Sequence, residues 1–474
     1  MMDSTNNTIP SCVKTIHLIA VCGTAMGALA CMLKDLGYRV TGSDNAVYPP
    51  MSTFLGEKGI ALFNGYDGAH LEYQPDLVVV GNAVGKDNPE ARRMRELGLC
   101  YCSMPQALNH FVARGKKPIL ISGTHGKTTT SSIAAWVAET AGLDPTFFIG
   151  GILKNFNSNY KLGKGDTIII EGDEYDTAYF DKGPKFLHYD PAIAILTGIE
   201  FDHADIYRDI DHVTQSFEML VNRMAKDSLL IAYDDNDIVD RLVEKAPCRV
   251  ARYGEKVQSP WRIGSCDIEP PFTHFEVMHE GRSYGRLKTR LVGHHNLCNL
   301  LAVIAASHNL GIAPDRVQAA LDSFESVKRR QEVRGVKNGV TVMDDFAHHP
   351  TAVRETLRAV RPFYNGRVIA VFEPRTHASM RDVFQDVYPN AFDEADIICI
   401  RKPPLLSKIP EGQRFSSEKL VADLVGKGKD AFFFDDTDSI VDFVAQTARA
   451  KDLVLVMSNG GFDGIHGKIL EAIK

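Results

Sequence analysis

The chain has 474 residues, of which 44% are hydrophobic and 24% charged, apolar material enough for about three domains of ordinary size. A formal charge of -7 argues against a nucleic-acid-binding surface and suits a soluble cytoplasmic enzyme whose anionic ligands need locally focused cations. The nine cysteines are scattered and form no Cys-x-x-Cys pair, which argues against a disulfide framework or a zinc knuckle and fits a reducing compartment. The nearly uncharged stretch from Ile16 to Leu33 faintly resembles a signal segment, with Leu29-Ala30-Cys31 in the place of a cleavage site. One preceding lysine, Lys14, and interruptions by His17, Gly23 and Gly27 speak against it, and no other stretch is long or apolar enough to span a bilayer.

In chain order, Thr15 to Val21 reads as a short apolar strand and is followed by the turn Gly23-Thr-Ala-Met-Gly27, a helical stretch to Leu36, and a second strand, Tyr38 to Asp44, that ends in an acid. This is the grammar of a parallel α/β nucleotide-binding half, although the turn lacks a complete Gly-x-Gly-x-x-Gly. Asp76 to Gly81 supplies another strand, and Val112 to Pro118 reads as a linker. Next comes Ile119-Leu-Ile-Ser-Gly-Thr-His-Gly-Lys-Thr-Thr-Thr130, which joins a strand to a phosphate-cradling turn and a helix running from Ser131 to Ala141 and closing at Gly142.

The turn predicts a nucleoside triphosphate site. Gly123 and Gly126 let the backbone bend and turn its N–H groups inward, Lys127 adds a compact cation, and Thr128 adds a hydroxyl for Mg²⁺. The strict P-loop has a further glycine two residues before Gly123, where this chain has Ile121, so the loop is a shortened variant, Gly-x-x-Gly-Lys-Thr. Strands at Asp166 to Ile170 and Ala192 to Leu196 follow, then Leu291 to Asn299 running into a long alanine-rich helix to His308. From about Arg329 the chain alternates helical stretches with strands at Gly339 to Met343, Arg367 to Phe372, Ala395 to Ile400 and Asp452 to Met457. The alternation implies three consecutive α/β domains.

Three polar stretches at strand ends carry chemistry. Glu171 stands first in Glu171-Gly-Asp-Glu-Tyr-Asp176, at the carboxyl end of a strand beside the phosphate loop, and is read as a Mg²⁺ ligand; Asp173, Glu174 and Asp176 are read as solvated acids. His203, in Glu200-Phe-Asp-His-Ala-Asp205, is read as completing the surround of a metal and a terminal phosphate with Lys127, Thr128 and Glu171. Asn296 and Asn299, with His295, stand at a helix start, where their amides suit adenine or serve as caps. Asp344-Asp345-Phe-Ala-His348-His349-Pro350 and Phe372-Glu-Pro-Arg375 each end a strand, and an arginine there suits carboxylates.

Together, Gly123 to Thr129, Glu171 in its acidic run, Asp202-His203, His295-Asn296 with Asn299, Arg329-Arg330 and Asp344-Asp345 with His348 to Pro350 resemble the Mur ligases across the whole chain. These are ATP-dependent amide-forming enzymes of bacterial cell-wall synthesis. The resemblance implies a Rossmann-like UDP-binding domain over residues 1–114, a central P-loop-type ATPase domain over 115–328 and a Rossmann-like, peptide-binding C-terminal domain over 329–474. It implies ATP at Gly123, Thr124, His125, Gly126, Lys127, Thr128 and Thr129, with His295, Asn296, Asn299, Arg330 and Asp345. It further implies Mg²⁺ at Thr128, Glu171 and His203, and catalytic roles for Lys127, Glu171 and His203.

The same resemblance places a UDP-sugar at Gly23, Thr24, Ala25, Met26, Gly27, Ser43 and Asp44, and a peptide at His348, Arg375 and Arg381. Within the family, Glu171 to Lys182, Lys185 to Tyr189, Glu200 to Asp205, Phe372 to Arg375 and Ser458 to Asp463 are similar to the branch that joins UDP-N-acetylmuramate to the murein tripeptide L-alanyl-γ-D-glutamyl-meso-diaminopimelate in cell-wall recycling. The implied partners are thus small molecules, with no nucleic acid or membrane, for a cytoplasmic monomer or weak homo-oligomer. An L-alanine-adding ligase, a folylpolyglutamate-type synthetase and a non-catalytic nucleotide-gated binding protein are the competing readings. Two departures from relatives stand out. No lysine lies near Phe217-Glu218, where many carry a carbamylated one, and Gly198 stands where asparagine is common.

Overall fold

The computed structural model describes residues 6–45, 47 and 51–473. The first sheet is parallel and contains β1 (Thr15–Ile19), β2 (Arg39–Asp44), β3 (Ala61–Asn64), β4 (Leu77–Val80) and β5 (Tyr101–Ser103) in the order β3-β2-β1-β4-β5. Ile16, Leu18 and Ile19 are buried together with all of β4, as expected of parallel strands covered on both faces. β1 stops at Ile19, two residues before the expected end, because Ala20 turns to φ 66°. The strand order reverses about β1, so the turn after it, Cys22 to Gly27, opens at a switch point of the sheet.

Beneath this sheet lies a polar cluster with no sequence signature. The helix Pro89–Glu96 is capped by Asn88, which sets Glu90 in the interior with no exposure. Its carboxylate takes the Ser43 hydroxyl, bonds His70 Nδ1 at 2.6 Å and His17 Nε2 at 3.4 Å, and accepts the Asp67 N–H. Burial alone would raise the Glu90 pKa, but these donors outweigh it and hold the carboxyl below its ordinary value.

The central sheet begins with β6 (Lys117–Ser122), β7 (Thr146–Leu153), β8 (Ser158–Lys161) and β9 (Thr167–Glu171). After the small hairpin of β10 (Asp176–Ala178) and β11 (Asp181–Pro184), it continues with β12 (Ile193–Leu196), β13 (Leu229–Tyr233) and β14 (Arg249–Gly254). The order is β14-β13-β12-β6-β9-β7-β8, parallel except for the edge strand β8. β6 therefore lies between β9 and β12, and the loops that leave the carboxyl ends of these three strands converge. Tyr179 and Phe180, at the tip of the hairpin, pack on the core of the first sheet.

β15 (Trp261–Glu269), β16 (Phe272–His279) and β17 (Arg282–Thr289) form an antiparallel meander, and Thr273, Phe275 and Val277 alternate inward along β16. The last sheet contains β18 (Glu332–Lys337), β19 (Val340–Asp345), β20 (Val368–Phe372), β21 (Ile397–Arg401), β22 (Asp430–Phe434) and β23 (Leu453–Met457) in the order β18-β19-β23-β20-β21-β22, with only the edge strand β18 antiparallel. Alternate residues feed two cores: Val368, Ala370 and Phe372 join Leu357 and Phe392 on one face, and Ile369 and Val371 join Ile440 and Phe462 on the other. Each such side chain contributes about 1.5–3 kcal/mol when fully buried.

The chain packs into two compact units. One contains Met1–Ile199, Thr214–Ser259 and Ala302–Ala320; the other contains Glu200–Val213, Pro260–Leu301 and Leu321–Lys474. All nine cysteines are free thiols. Among the described residues, no helix is long and apolar enough to cross a membrane.

A carboxyl with a depressed folded-state pKa stabilises the fold above its unfolded value and loses that contribution as pH falls through the folded value. Glu90→Gln is therefore expected to cost about 1–3 kcal/mol in urea unfolding at pH 7. The gap to the parent protein should narrow as pH falls below the ordinary glutamate value of 4.5. An equal gap at pH 7 and pH 4 would refute the ionic role.

Candidate active site

β6 delivers the phosphate loop. Gly123 follows the strand at φ 129°, and a Cβ there would lie 2.3 Å from Thr197 Oγ1, so only glycine lets the loop approach the end of β12. The Thr124 N–H donates to Gly198 O at 2.9 Å, and the Thr197 hydroxyl donates to His125 O. Gly126, at φ 80°, is the N-cap of the helix Lys127–Thr140 and offers no side-chain cap. That helix start is the positive end of its dipole, which favours an anion. The observed helix begins four residues earlier than the alanine-rich stretch suggested, and includes Thr128 and Thr129, both buried.

Lys127 folds back over the loop. Its Nζ donates to Gly123 O at 2.6 Å, to Thr124 O at 3.2 Å and to Glu174 Oε1 at 2.9 Å. Desolvation would lower the ammonium pKa, yet the Glu174, Asp173 and Glu171 carboxylates hold it above its ordinary value. Glu174 is buried at 2% exposure, which corrects its reading as a solvated acid: the backbone turn after Gly172 points it at the loop lysine. Asp173 is likewise engaged, with Lys185 Nζ at 2.5 Å; burial opposes its charge, but Lys185 and Lys127 bring its pKa down to about 2. Asp176 accepts from Asn82 and pairs with Lys182, its side chain only 12% exposed.

Thr128 and Glu171 are brought together as expected. The threonine hydroxyl donates to Glu171 Oε1 at 2.8 Å, and Glu171 Oε2 accepts the Gly150 N–H at 2.7 Å. A hydroxyl and a carboxylate oxygen side by side at a helix start form a donor set of the kind a hard divalent cation takes. Gly198 has φ 126°, a conformation that side chains rarely adopt, so an asparagine there would be strained; its backbone serves the loop through Thr124 instead. Phe217 is buried against Phe186 and Glu218 pairs with Lys245, so both positions where a lysine might be sought serve packing and surface pairing.

His203 belongs to the second unit and is described within it. It sits at φ 54°, and its N–H donates to Asp202 Oδ1 at 2.7 Å. Burial opposes ionisation of Asp202, but His203, His348 and His349 offset this and hold it at about 2. His349 caps the helix Pro350–Val360 by accepting the Thr351 N–H at Nδ1, which leaves Nε2 to donate to Phe201 O. His348 Nδ1 bonds Phe346 O.

Asn296 and Asn299 are buried and already interlinked. Asn299 Nδ2 donates to Asn296 Oδ1, and Asn296 Nδ2 donates to Val292 O and Gln331 Oε1. His295 stands between Asn296 and Gly293, its ring about 3 Å from where a Cβ on Gly293 would lie. The Gln331 N–H in turn donates to Asp345 Oδ2, and Asp345 also accepts the Ala347 N–H. Burial raises the Asp345 pKa against the opposing charge of Arg330, whose guanidinium stacks 4.8 Å over Phe346. Arg375 lies 3.5 Å from Glu373, a carboxylate already held by Arg401 and the Ser458 hydroxyl. Arg381 donates to Gln413 Oε1.

At the first sheet, Gly23 and Thr24 are exposed at the open turn, Ala25 is half-buried, and Met26 and Gly27 are buried against the sheet. Asp44, at the end of β2, accepts the Cys22 N–H at 2.8 Å and braces that turn, whereas Ser43 points the other way, to Glu90. Sequence reasoning missed two acids. Glu174 could have been found from its spacing three residues past Glu171 on a turning loop, but Glu90 had no such signal.

Three domain families match this chain in order: "Mur ligase family, catalytic domain" over residues 15–116, "Mur ligase middle domain" over 121–307 and "Mur ligase, glutamate ligase domain" over 329–460. The chain is 42% identical over 460 residues to the UDP-N-acetylmuramate–L-alanyl-γ-D-glutamyl-meso-2,6-diaminoheptandioate ligase of Escherichia coli (strain K12), covering 97% of this chain and 98% of that protein. It is 36% identical over 385 residues to the UDP-N-acetylmuramate–L-alanine ligase of Anaeromyxobacter sp. (strain Fw109-5), covering 81% and 82%. A crystal structure of a murein peptide ligase from Psychrobacter arcticus superposes with a TM-score of 0.72 at 32% identity, covering 97% of this chain and 98% of that one.

Because Lys127 is the buried cation at the loop, Lys127→Ala is expected to weaken ADP binding by at least about tenfold in calorimetric titration, the loss of one charge-assisted contact of 1.5–3 kcal/mol. Unchanged ADP affinity would remove Lys127 from the phosphate site.

Proposed function

This chain belongs to the Mur ligase family, and on that premise we propose that it joins the lactyl carboxylate of UDP-N-acetylmuramate to the amine of L-alanyl-γ-D-glutamyl-meso-diaminopimelate, with ATP converted to ADP and phosphate. The observation that carries the acceptor is the near-complete match to the Escherichia coli tripeptide ligase, at 42% identity against 36% over a shorter span for the L-alanine ligase. The reading places UDP-sugar binding in residues 1–114, ATP binding in 115–328 and peptide binding in 329–474. It has the protein act in the cytoplasm on small molecules, in murein recycling, as a monomer or weak homo-oligomer.

A carboxylate is a poor electrophile. Transfer of the γ-phosphoryl group of ATP to the lactyl carboxylate gives an acyl phosphate and ADP; the L-alanine amine then adds to the acyl carbon, loses a proton and expels phosphate. In this reading the helix start after Gly126 and the Lys127 ammonium receive the phosphates and stabilise charge that spreads over the migrating group. Mg²⁺, when bound, supplies further neutralisation of that charge, with Thr128, Glu171 and His203 as its assigned holders. Thr128 and Glu171 fit the role through their adjoining oxygens.

His295, Asn296 and Asn299 are assigned to adenine, Asp345 to ribose and Arg330 to phosphate. The turn Gly23-Thr-Ala-Met-Gly27 with Ser43 and Asp44 is assigned to the UDP-sugar, and His348, Arg375 and Arg381 to the acceptor peptide. Asp44 supports its assignment by fixing the turn from beneath, and Arg375 by presenting a guanidinium whose acidic neighbour is already satisfied by two other donors.

The full-length chain should release ADP rapidly when ATP, UDP-N-acetylmuramate and the tripeptide are all present, and far more slowly with L-alanine in place of the tripeptide. Equal or faster turnover with L-alanine would make it an L-alanine-adding ligase, and no turnover with either acceptor would leave a nucleotide-binding protein without ligase activity.

A further inference from the structure

A cavity of about 640 Å³ lies within the first unit at the end of β6 opposite the Gly123 loop. Lys116 and Pro118 line it where β6 begins, and Asp190 lines it just before β12. The five steps of β6 from Lys117 to Ser122 span about 16 Å, so this cavity is remote from the loop at Gly123. Its main wall is the passage from the first sheet to the second, residues 106–116, of which only the part from Val112 on reads as a linker in the sequence.

That passage is not an ordinary linker. Asn109–Ala113 forms a π-helical turn, closed by the Arg114 N–H donating to Asn109 O at 2.9 Å. Such turns are rare and frequently mark functional sites. This one brings His110 and Arg114 to the same cavity wall. Burial, and after it the Arg114 charge, hold the His110 imidazole below its ordinary pKa.

The charges around the cavity do not balance. Among the described residues neither Arg114 nor Lys116 has a carboxylate partner, and the Lys116 ammonium is held instead by two neutral carbonyls, Gly163 O at 3.2 Å and Gly165 O at 2.6 Å. His188 on the far wall is matched by Asp181 at 2.9 Å. The one acid in the lining, Asp190, is 87% exposed and lies 3.9 Å from Arg223. A concave site of ligand-binding size with two unmatched cations, one a planar fork and one a point charge, suits a small anion better than an apolar molecule.

We propose that this cavity binds a small oxyanion-bearing molecule, a phosphate or a carboxylate, through Arg114 and Lys116, apart from the site assigned to ATP. A ligand there ties the π-turn to the start of β6 and steadies the passage between the two sheets.

Amide hydrogen exchange on the full-length chain locates the event. Inorganic phosphate at ten times its dissociation constant should slow exchange at residues 109–116 by about tenfold. Succinate in a parallel titration separates the two sources of oxyanion: protection by phosphate alone assigns a phosphate site, and protection by succinate alone a carboxylate site. Arg114→Gln should abolish the slowing at 109–116 while leaving any phosphate protection at 123–129 intact, and Arg114→Lys, which keeps the charge, should restore part of it. Lys127→Ala should give the reverse pattern, so failure here is separable from failure of the ATP assignment. Protection confined to 123–129, no protection by either anion, or full protection retained in Arg114→Gln would overturn the proposal.

Discussion

A buried ammonium at the start of an uncapped helix is the interaction around which this molecule is organised. The helix Lys127–Thr140 begins with a left-handed glycine in place of a capping side chain, just after β6 ends. Positive potential from the dipole and from Lys127 therefore accumulates in one spot. The fold tolerates it because Glu174, Asp173 and Glu171 arrive on the neighbouring strand end and the loop carbonyls point inward. Removing either partner of a buried pair costs about 3–5 kcal/mol, so the site is stable only with an anion in place, and in the resting molecule that anion is Glu174.

This makes Glu174 a competitor as well as a partner. A phosphate chain that enters the loop offers Lys127 more negative charge than a single carboxylate does, so the ammonium can transfer to it without being left bare. The cost of displacing Glu174 is offset by Lys185 next to Asp173, which keeps the acidic run from becoming an uncompensated cluster. The Thr128–Glu171 contact has the same character: hydroxyl and carboxylate satisfy each other at 2.8 Å. The loop, the acids and the helix start form one electrostatic device, and the parallel order of β9, β6 and β12 is what holds its parts together.

How much of this the sequence disclosed follows from what each feature depends on. Strands buried on both faces, such as β4, β20 and β23, stand out as continuous apolar runs, and all were expected within a residue or two. The half-exposed strands β3, β16 and β18 were not, because a solvated face breaks the run and their pairing is decided by distant partners. The turn between β6 and its helix was legible because its conformation is local: Gly123 and Gly126 at positive φ shape it within a few residues. Glu174 was misjudged because its burial is set by the turn after β9. Glu90 was invisible because its partners His17, Ser43 and His70 come from three separate stretches and meet only once the first sheet has formed.

The C-terminal sheet poses the complementary electrostatic problem. Glu373 is buried with no exposure and is held by Arg401 and Ser458, while Arg375 stands 3.5 Å away, at the edge of that group. Arg329 is used differently, clamping the carbonyls of Ser458, Asn459 and Gly460 and so fixing the loop after β23. Two guanidinium groups and two carboxylates, Glu373 and the half-exposed Asp463 on Arg401, balance in formal charge, so Arg375 stands beside an acid that other donors already satisfy. Here, as at the loop after β6, a cation is held in place by an internal acid.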